Sequence, residues 1–405
     1  MQKDQKNKIV IIGGGYAGLN ALKKLAKDQD NEIVLIDKKA YHFMQTDVYD
    51  LIANEHDFAQ VSVDLFTYCM GFDQNVTFLK EEIKSVDFKN KKVISDRKRI
   101  NYDYLIIAVG ARTKFFSNIV GLREYAYGVK SLHRAMYFKQ KFEMSLFQKI
   151  DQEGTYCKPL NIVIAGGGLS GVEISAQMAS FAQEFYKNNH FLCRKLNIIL
   201  VNSSEHVLKG LDEKLAKFSE EHLNKLDVTI KKNAKVQSLT PTTVSLTNGE
   251  EIEMDFMIFA GGIEPNGLIF NLKLSKNQQG YLETNEYLQS IDYEDVFVVG
   301  DCTTIYDKNQ NRLPPTADIA EQMGRCAAKN IMRKVTEKKL VKHKVRQRGI
   351  LIALGRRYAC GKVFGFYLHG FPAYVMKKMI EKFYLFKLDK HSKKGCQKIF
   401  CTPQD

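Results

Sequence analysis

Long apolar runs are missing from this sequence of 405 residues. No run approaches the roughly 18 residues that a membrane-spanning helix needs, so we expect no transmembrane segment. The first apolar strand begins near Lys8, which leaves no space for a signal peptide. Proline is scarce, at seven residues, and long polar tracts are missing too, so disorder is expected only at the two ends.

Paired cysteines and metal-ligand clusters are missing as well. The eight cysteines are scattered and form no CxxC pair, which in a chain without a signal peptide indicates reduced, mostly buried thiols. No set of histidine, cysteine, aspartate and glutamate has the spacing of metal ligands, so we expect no metal site. The cysteines are Cys69, Cys157, Cys193, Cys302, Cys326, Cys360, Cys396 and Cys401.

Acidic residues become scarce towards the end of the chain. From Lys329 onwards, 20 lysines and arginines face 4 aspartates and glutamates, while the whole chain carries a net charge of +14. The remainder is therefore nearly neutral. This asymmetry predicts an anionic partner for the C-terminal region, either nucleic acid or an acidic lipid surface, with a solvated basic face as the alternative. No recognition motif accompanies the charge, which disfavours nucleic acid.

The order of the apolar segments predicts an α/β fold with an internal duplication. A short apolar strand, a glycine turn, a helix and a second strand occur near the N-terminus and return about 153 residues later. Such near-continuous apolar strands are typical of buried parallel sheets. Residues 228–260 are expected to form short antiparallel strands. The duplicated strands are Lys8–Ile12 and Glu32–Asp37, then Asn161–Ala165 and Leu196–Val201.

The first glycine turn has the GxGxxG spacing, with Gly13, Gly15 and Gly18. A dinucleotide site needs such glycines for a tight turn, for close approach of the pyrophosphate and for packing of the helix on the strand. The helix N-terminus then offers free N–H groups to the phosphates. Asp37 ends the next strand, 24 residues after Gly13, in position to hold an adenosine ribose, and Lys38 follows it. This context predicts a dinucleotide site rather than a purely structural turn.

The second glycine turn repeats the spacing at Gly166, Gly168 and Gly171, so two dinucleotides are predicted. The strand after it ends at Asn202, where an NAD-preferring site usually has aspartate or glutamate. Asparagine hydrogen-bonds a ribose hydroxyl but does not repel a 2′-phosphate as a carboxylate would. No arginine follows closely, so we expect NADH, with NADPH as the alternative. The two sites together imply FAD and NAD(P)H, with a hydride passing between their rings.

The stretch from Tyr41 to Thr46 contains no cysteine. Disulfide reductases built on two such units carry a CxxxxC pair at this place, beside the flavin. A glutathione- or lipoamide-type reductase is therefore excluded, and the electrons are expected to leave the flavin for another acceptor.

The motifs together resemble those of the type II NADH dehydrogenases, the single-subunit NADH:quinone oxidoreductases among the two-dinucleotide-binding-domain flavoproteins. The resemblance runs from about Lys8 to Leu388. It implies two Rossmann-like domains in a glutathione-reductase-like arrangement, FAD and NADH as cofactors, and a quinone as the electron acceptor. The motifs are Gly13–Gly18 with Asp37, Tyr41–Phe43 with Thr46, Tyr104–Gly110, Gly166–Gly171 with Glu173, Val299–Cys302, Pro314–Ala317 and Leu354–Arg357.

The resemblance also implies roles for individual residues. Asp301 would hold the ribityl–phosphate part of FAD. Ala317 would present its backbone N–H to the flavin pyrimidine, where a helix N-terminus favours negative charge. Glu173 would lie near the nicotinamide–flavin contact and help to deliver protons, or it is a plain dipole partner in the first turn of its helix. The remaining cofactor contacts are expected at Lys38, Thr46, Ala108, Gly110 and Gly262.

The quinone end departs from the family pattern. The family typically has two glutamines after its Pro-Pro-Thr-Ala segment, but here Asp318 replaces the first and Gln322 keeps the second. An acid at this position relays a proton or marks a different acceptor. The catalytic candidates are therefore Glu173, Asp318 and Gln322.

The segment Phe371–Leu388 predicts a basic amphipathic helix, with apolar residues at steps of three and four and lysines mostly between them. Such a helix lies in the plane of the lipid headgroups, and each lysine near anionic lipid adds about 1 kcal/mol. A helix packed on its own domain or on the partner of a homodimer is the alternative. The end beyond Asp389 is expected to fray. The apolar positions are Phe371, Tyr374, Val375, Met379, Phe383 and Phe386.

Four segments follow from these expectations, in a peripheral protein on the cytoplasmic face of the membrane. Residues 1–115 and 262–335 bind FAD, residues 116–261 bind NAD(P)H, and residues 336–405 anchor the protein to the membrane. Two alternatives stay open. A sulfide:quinone oxidoreductase needs cysteines inside the second glycine turn and near Leu351, where this chain has none. The other alternative is a non-catalytic flavin or nucleotide redox sensor.

Overall fold

The computed structural model describes residues 6–73, 75–152, 159–189, 196–307, 310–346 and 348–400. Its first third contains β1 (Asn7–Ile12), α1 (Tyr16–Leu25), β2 (Asn31–Asp37), β3 (Tyr41–Phe43), α2 (Val48–Ile52), β4 (Ser62–Asp64), α3 (Leu65–Met70), β5 (Val76–Lys80), β6 (Ile83–Asp87), β7 (Lys92–Ser95), β8 (Arg99–Asn101), β9 (Tyr104–Ile107) and β10 (Ala111–Thr113). A short 3₁₀ turn, Gln45–Asp47, precedes α2.

The middle of the chain contains the second set of elements. They are α4 (Leu122–Tyr125), β11 (Ala126–Tyr127), α5 (Leu132–Gln152), β12 (Leu160–Ala165), α6 (Leu169–Asn189), β13 (Leu196–Val201), α7 (Glu213–Lys225), β14 (Thr229–Lys231), β15 (Val236–Leu239), β16 (Thr243–Leu246), β17 (Glu251–Glu253) and β18 (Phe256–Phe259). The last part contains β19 (Ile263–Pro265), α8 (Gly267–Asn271), β20 (Val296–Val298), α9 (Ala317–Val335), β21 (Gly349–Ala353), β22 (Ala359–Val363), β23 (Phe366–Gly370) and α10 (Phe371–Phe400).

Two five-stranded parallel sheets form the centre of the fold. The first has the strand order β20-β9-β1-β2-β5, and the second has the order β11-β18-β12-β13-β14. Strands β1 and β12 occupy equivalent central positions, each paired in parallel with the strand that follows its glycine turn. The predicted α/β class with a duplicated unit is confirmed.

The segment 228–260 differs in part from its expectation. Strands β15, β16 and β17 do form an antiparallel sheet. The two outer strands, however, are parallel members of the second central sheet, because β14 pairs with β13 and β18 pairs with β12. The prediction of antiparallel strands throughout was therefore wrong for these two, whose partners lie far away in the sequence.

Helices α1 and α9 pack against each other on the same face of the first sheet, and the contact is close. A Cβ on Gly324 would lie 2.1 Å from the carbonyl oxygen of Ala17, so the two backbones touch at this point. The buried residues around it come from both helices and include Leu22 and Ile331. Because the carboxyl ends of parallel strands share one edge of a sheet, this packing brings the start of α9 to the edge where the first glycine turn lies.

Helix α10 continues to Phe400 and does not fray after Leu388 as expected. Its second half packs on α3 through small residues. A Cβ on Gly395 would lie 1.9 Å from the carbonyl oxygen of Thr67, and a Cβ on Gly71 would lie 1.9 Å from that of His391. This close helix crossing holds the end of α10 in place. Within the described ranges, no helix combines the length and the apolar character required to cross a bilayer.

Candidate active site

The first glycine turn follows the carboxyl end of β1. Gly13 has a φ of +112°, and a Cβ on it would lie 2.3 Å from the carbonyl oxygen of Ala108, so only glycine fits. A Cβ on Gly18 would lie 1.9 Å from the carbonyl oxygen of Gly13, which shows how tightly α1 is seated on the turn. The carboxylate of Asp37 accepts a hydrogen bond from the N–H of Gly14 at 2.7 Å. The predicted ribose-binding acid therefore lies against the turn.

The second turn repeats this geometry. A Cβ on Gly166 would lie 2.7 Å from the carbonyl group of Ala260, and a Cβ on Gly171 would lie 1.7 Å from the carbonyl oxygen of Gly166. The middle glycine of each turn is different, because a Cβ on Gly15 or Gly168 would meet no atom within 4 Å. The protein's own packing does not require a glycine there. The space suits the close approach of a pyrophosphate, so both turns fit a dinucleotide.

Asn202 takes the place in the second half that Asp37 takes in the first. Its side chain is buried, and Nδ2 donates a hydrogen bond to the carbonyl oxygen of Ser204 at 2.8 Å. Its Oδ1 is directed at the turn, since a Cβ on Gly167 would lie 2.3 Å from it. The amide is thus placed beside the turn as a neutral counterpart of the aspartate.

Asp301 and the start of α9 share one cleft at the edge of the first sheet. Thr316 caps the helix, its hydroxyl accepting a hydrogen bond from the N–H of Ile319 at 3.3 Å, so α9 begins at Ala317 as predicted. Asp301 and Thr316 both line the cleft. The carboxylate of Asp301 lies 3.6 Å from the ammonium of Lys130. An anionic group bound here would meet the free N–H groups of the helix.

The other expected cofactor contacts are spread around this edge. Ala108 is buried at the end of β9, against the first turn. Gly110 and Gly262 each precede one strand of the antiparallel pair β10–β19, which joins the two halves of the fold. The side chain of Lys38 is half exposed and pairs with Glu82 at 3.4 Å, so its ammonium is directed away from the turn.

Glu173 is buried one full turn inside α6, not in the first turn as the dipole alternative assumed. One carboxylate oxygen accepts a hydrogen bond from the N–H of Ala353 at 2.9 Å and lies 3.2 Å from the ammonium of Lys377. Burial raises the pKa of Glu173, although Lys377 and the N–H of Ala353 oppose the shift. Glu173 therefore lies buried at the face between α6 and α10, paired with a lysine of α10.

Lys377 and Lys378 are directed inwards from α10, which differs from the expected lipid-facing lysines. Lys377 lies 3.1 Å from Glu381, and Lys378 lies 3.0 Å from the same carboxylate while also binding Asp50. Burial alone would lower the pKa of Lys377, but Glu173, Glu381 and Asp50 raise it well above its ordinary value. The expectation was wrong for these two lysines because acids from α2 and α6 draw them into the fold.

Thr46 and Asp47 connect this charged cluster with the first glycine turn. The hydroxyl of Thr46 lies 3.0 Å from the hydroxyl of Tyr16 and donates a hydrogen bond to Asp47 at 2.9 Å. Asp47 is buried, and burial together with Glu381 raises its pKa to about 7. Sequence reasoning missed the cluster of Asp47, Asp50, Lys377, Lys378 and Glu381. The one sequence feature that indicated part of it is the spacing of Glu381, four residues after Lys377 and three after Lys378.

The side chain of Gln322 is occupied by protein partners. Its Nε2 donates hydrogen bonds to Asp318 at 2.8 Å and to the carbonyl oxygen of Arg346 at 3.1 Å, and its Oε1 accepts one from the N–H of Arg346 at 2.9 Å. Gln322 therefore holds the segment before β21 on α9. Asp318 is part exposed and lies 4.0 Å from Arg348. The structure does not bring either residue into the cluster around Glu173.

The cysteines of the described residues form no disulfide. Cys302 is buried and its thiol donates to the carbonyl oxygen of Val299, and burial raises its pKa to about 12. Cys360 lies beside Ser219, with a pKa raised by burial to about 11. Thiols in this state are unreactive. The expectation of reduced, mostly buried thiols also concerned Cys157, Cys193 and Cys401, which lie outside the described residues.

The family described as pyridine nucleotide-disulphide oxidoreductase matches residues 7–324. Proteins called Type II NADH:quinone oxidoreductase from Staphylococcus saprophyticus and Haemophilus influenzae are 27% and 26% identical, and each match covers 96% of this chain and at least 95% of the relative. The resemblance indicated by the motifs is confirmed.

Two solved structures share the fold at 19% identity. The structure of NDH2 from Plasmodium falciparum in complex with NADH superimposes with a TM-score of 0.81 over 98% of both chains. The sulfide:quinone oxidoreductase of Aquifex aeolicus superimposes with a TM-score of 0.79 over 97% of this chain and 95% of the other. Because both chemistries occur on this fold, the fold alone does not distinguish them.

Proposed function

The chain belongs to the pyridine nucleotide-disulphide oxidoreductase family, and from that premise we propose that it transfers electrons from NADH, through bound FAD, to a quinone. The observation that carries the proposal is the pair of glycine turns, each with room for a pyrophosphate, together with the lack of cysteine from Tyr41 to Thr46. Relatives named Type II NADH:quinone oxidoreductase match this chain over nearly its full length.

FAD binds the first turn in this proposal. It supplies the chemistry of accepting a hydride and releasing two electrons. Asp37 binds the adenosine ribose, and Gly15 leaves room for the pyrophosphate. Asp301 holds the ribityl–phosphate part, while the N-terminus of α9 at Ala317 favours negative charge at the flavin pyrimidine. The segments 1–115 and 262–335 form this half of the protein. Further contacts are assigned to Gly13, Gly18, Lys38, Thr46, Ala108, Gly110 and Gly262.

NADH binds the second turn, within the segment 116–261. The turn of Gly166, Gly168 and Gly171 receives the pyrophosphate, and Asn202 hydrogen-bonds the adenosine ribose. Glu173 follows Gly171 by two residues on the same helix, and the family resemblance assigns its carboxyl group to the neighbourhood of the nicotinamide. Burial raises the pKa of Glu173, so its carboxyl group is suited to help deliver protons towards the acceptor.

The outward face of α10 is proposed to lie on an anionic lipid surface, from which the quinone reaches the site. The helix exposes large apolar side chains, with Lys382 and Lys387 also on the exposed side, within the segment 336–405. Aromatic and apolar groups beside lysines suit the headgroup layer. We place the protein on the cytoplasmic face, and pairing of this helix in a homodimer is the competing outcome. The exposed apolar residues are Phe371, Met379, Ile380, Phe383 and Phe386.

Asp318 and Gln322 are given different parts in the proposal. Gln322 positions the segment before β21, since all of its contacts are within the protein. Asp318 is part exposed and is proposed to exchange protons with solvent at the quinone end. The departure from the two-glutamine pattern then replaces one amide by a titratable group.

Anaerobic mixing of the purified protein with NADH tests the function. The protein should be yellow, NADH should bleach the flavin absorbance, and a soluble short-chain quinone should restore it. A colourless protein that does not take up FAD would refute the proposal. A yellow protein that NADH does not bleach would point to a redox sensor.

Sulfide in place of NADH is the control for the main alternative. A sulfide enzyme needs cysteines beside the flavin, whereas Cys302 and Cys360 are buried and protonated. We therefore expect sulfide to leave the flavin absorbance unchanged. Bleaching by sulfide but not by NADH would show that sulfide, and not NADH, is the electron donor.

A further inference from the structure

A buried cluster of acidic and basic side chains lies between α2, α6 and α10. It contains more carboxyl groups than ammonium groups, and the contacts within it are short. Lys377 lies 3.2 Å from Glu173 and 3.1 Å from Glu381, and Lys378 lies 3.0 Å from Glu381 and contacts Asp50. The carboxyl groups are Glu173, Asp47, Asp50 and Glu381, and the ammonium groups are Lys377 and Lys378.

Asp47 is the carboxyl group of this cluster that forms no ion pair with either lysine among the described residues. Among the described residues, the other three acids each pair with Lys377 or Lys378, whereas Asp47 pairs with neither. Its side chain is 3% exposed and accepts a hydrogen bond from Thr46. An unpaired carboxylate in such a place is expensive, so the group retains a proton instead.

The surroundings of Asp47 favour the protonated form from several sides. Burial raises its pKa most, Glu381 and Asp50 raise it further, and Lys377 and the Thr46 hydroxyl oppose the shift, with about 7 as the result. Glu381 itself stays charged, because the two lysines outweigh its burial and lower its pKa. The titratable groups around Asp47 are Tyr16, Asp50, Lys377, Glu381 and Tyr384, with Glu173, Lys378, His42 and His56 behind them.

Asp47 is also connected to the predicted flavin site. The Thr46 hydroxyl that donates to Asp47 lies 3.0 Å from the hydroxyl of Tyr16, and Tyr16 is the first residue of α1, directly after the glycine turn. On the other side, Glu381 and Lys377 lead to Glu173. A proton on Asp47 is therefore stored between the two nucleotide turns, and not at the protein surface.

We propose that Asp47 holds and donates the proton that must join the electrons when the acceptor is reduced, an inference that rests on the proposed function. Reduction of a quinone to a quinol takes two electrons and two protons. The hydride of NADH carries both electrons and the equivalent of one proton. The O–H bond of the Asp47 carboxyl group breaks to supply the other, and the carboxylate regains a proton from solvent before the next cycle.

Rapid mixing of the NADH-reduced, FAD-loaded protein with a soluble quinone tests the proposal. In the wild type, reoxidation of the flavin should be independent of pH below about 7 and fall about tenfold per pH unit above it, as the protonated fraction of Asp47 falls. In Asp47→Asn the rate should be lower and the decline absent, while reduction by NADH is unaltered. Asp47→Glu should restore the decline. A wild-type rate that does not fall between pH 7 and pH 9, or a decline that persists in Asp47→Asn, overturns the proposal.

Thermal unfolding gives a readout that does not depend on turnover. The pKa of Asp47 is raised above its unfolded value, so the stability that the proton contributes is full at low pH and is lost between about pH 4 and pH 7. Relative to Asp47→Asn, the wild-type unfolding constant should rise by up to tenfold per pH unit in this window and change no further above it. The variant Asp96→Asn, at an exposed side chain, is the control for the general effect of removing one carboxylate.

The two readouts separate the inference from the proposed function. If NADH does not bleach the flavin of the wild type, the proposed function fails, and the unfolding comparison still decides the protonation of Asp47. If NADH bleaches the flavin but the stability difference between wild type and Asp47→Asn is the same from pH 4 to pH 9, the inference alone is refuted.

Discussion

Exchanging Asn202 for aspartate should make the second glycine turn reject a 2′-phosphate. In the native protein the position carries a neutral amide, fixed by its hydrogen bond to the carbonyl oxygen of Ser204. The corresponding residue of the first turn, Asp37, carries a charge in the same relation to its turn. Without that charge nothing at this position repels NADPH, so we expect NADH and NADPH to be accepted within about tenfold of each other, a difference of about 1.4 kcal/mol.

The size of the change follows from the charges. A residue that binds the ribose 2′-hydroxyl lies about 4 Å from a phosphate at that position, and two unit charges at this distance repel by about 1 kcal/mol in water and more in a partly buried site. A 2′-phosphate carries nearly two charges. Asn202→Asp should therefore cost NADPH at least about 2 kcal/mol relative to NADH, which is about thirtyfold in the ratio of their affinities.

Calorimetric titration with adenosine 2′,5′-diphosphate and with AMP measures this ratio without turnover. The aspartate loses the hydrogen bond to Ser204, at about 1–3 kcal/mol of stability, but this loss affects both ligands and cancels in the ratio. The control Asn202→Ala removes the amide without adding charge and should leave the ratio within threefold. A ratio that also stays within threefold in Asn202→Asp would show that position 202 does not face the 2′-group.

Other substitutions test the turns and the buried cluster. Gly18→Ala places a Cβ 1.9 Å from a carbonyl oxygen, so it should release FAD and in addition lower the unfolding free energy of the protein itself by about 1–3 kcal/mol. Gly15→Ala, with no atom within 4 Å, should lose FAD and lower the Tm only by the stabilisation that bound FAD contributes. FAD content and thermal melting distinguish the two. Lys377→Met leaves Glu173 and Glu381 without their shared ammonium and should cost about 3–5 kcal/mol in denaturant unfolding at pH 8. The cost should shrink at pH 5, because the raised pKa of an unpaired buried carboxyl group lets it take up a proton. A cost that does not change with pH would refute the assignment.

Both glycine turns were predictable because their chemistry is local. Strand, glycines, helix and terminal acid or amide all lie within about 40 residues. The third glycine of each turn is required by a neighbour close in sequence, and the second by the ligand, whereas Gly13 and Gly166 are also required by the distant Ala108 and Ala260. The close approach of Gly18 to Gly13 is an example, since the two are five residues apart. The helix cap at Thr316 was predictable for the same reason, because two prolines directly before it break the chain.

The charged cluster was not predictable, because its members are distant in sequence. The lysines of α10 meet acids from α2 and α6, and the sequence contains no local sign of these pairs. Periodicity indicated an apolar stripe with lysines mostly between its residues, which predicted lysines at the lipid headgroups and not inside the fold. The role of Gln322 was hidden for the same reason, because its partner Arg346 lies 24 residues further on. Long-range partners likewise decided the direction of β14 and β18.

Helix α10 has two different faces, and this determines how membrane binding is to be tested. Deleting the C-terminal region would also remove Lys377 and Glu381, so lost activity would not reveal which face mattered. Substituting the outward residues separates them. Phe383 and Phe386 are 59% and 65% exposed, and each contributes up to about 1.5–3 kcal/mol when buried in an apolar layer. Phe383→Ser with Phe386→Ser should therefore weaken sedimentation with anionic vesicles at least about tenfold.

The same double variant should leave the inward face intact. Reduction by NADH and the pH window of Asp47 should be those of the wild type. The ion pairs of the cluster join Lys377 and Lys378 to acidic side chains, and neither phenylalanine takes part in them. Neutral vesicles are the matched control for the lysines, and analytical ultracentrifugation checks the competing homodimer. If the double variant sediments with anionic vesicles as well as the wild type does, the outward face of α10 does not bind lipid. If the variant instead dissociates a dimer, the exposed stripe is an interface between two copies of the chain.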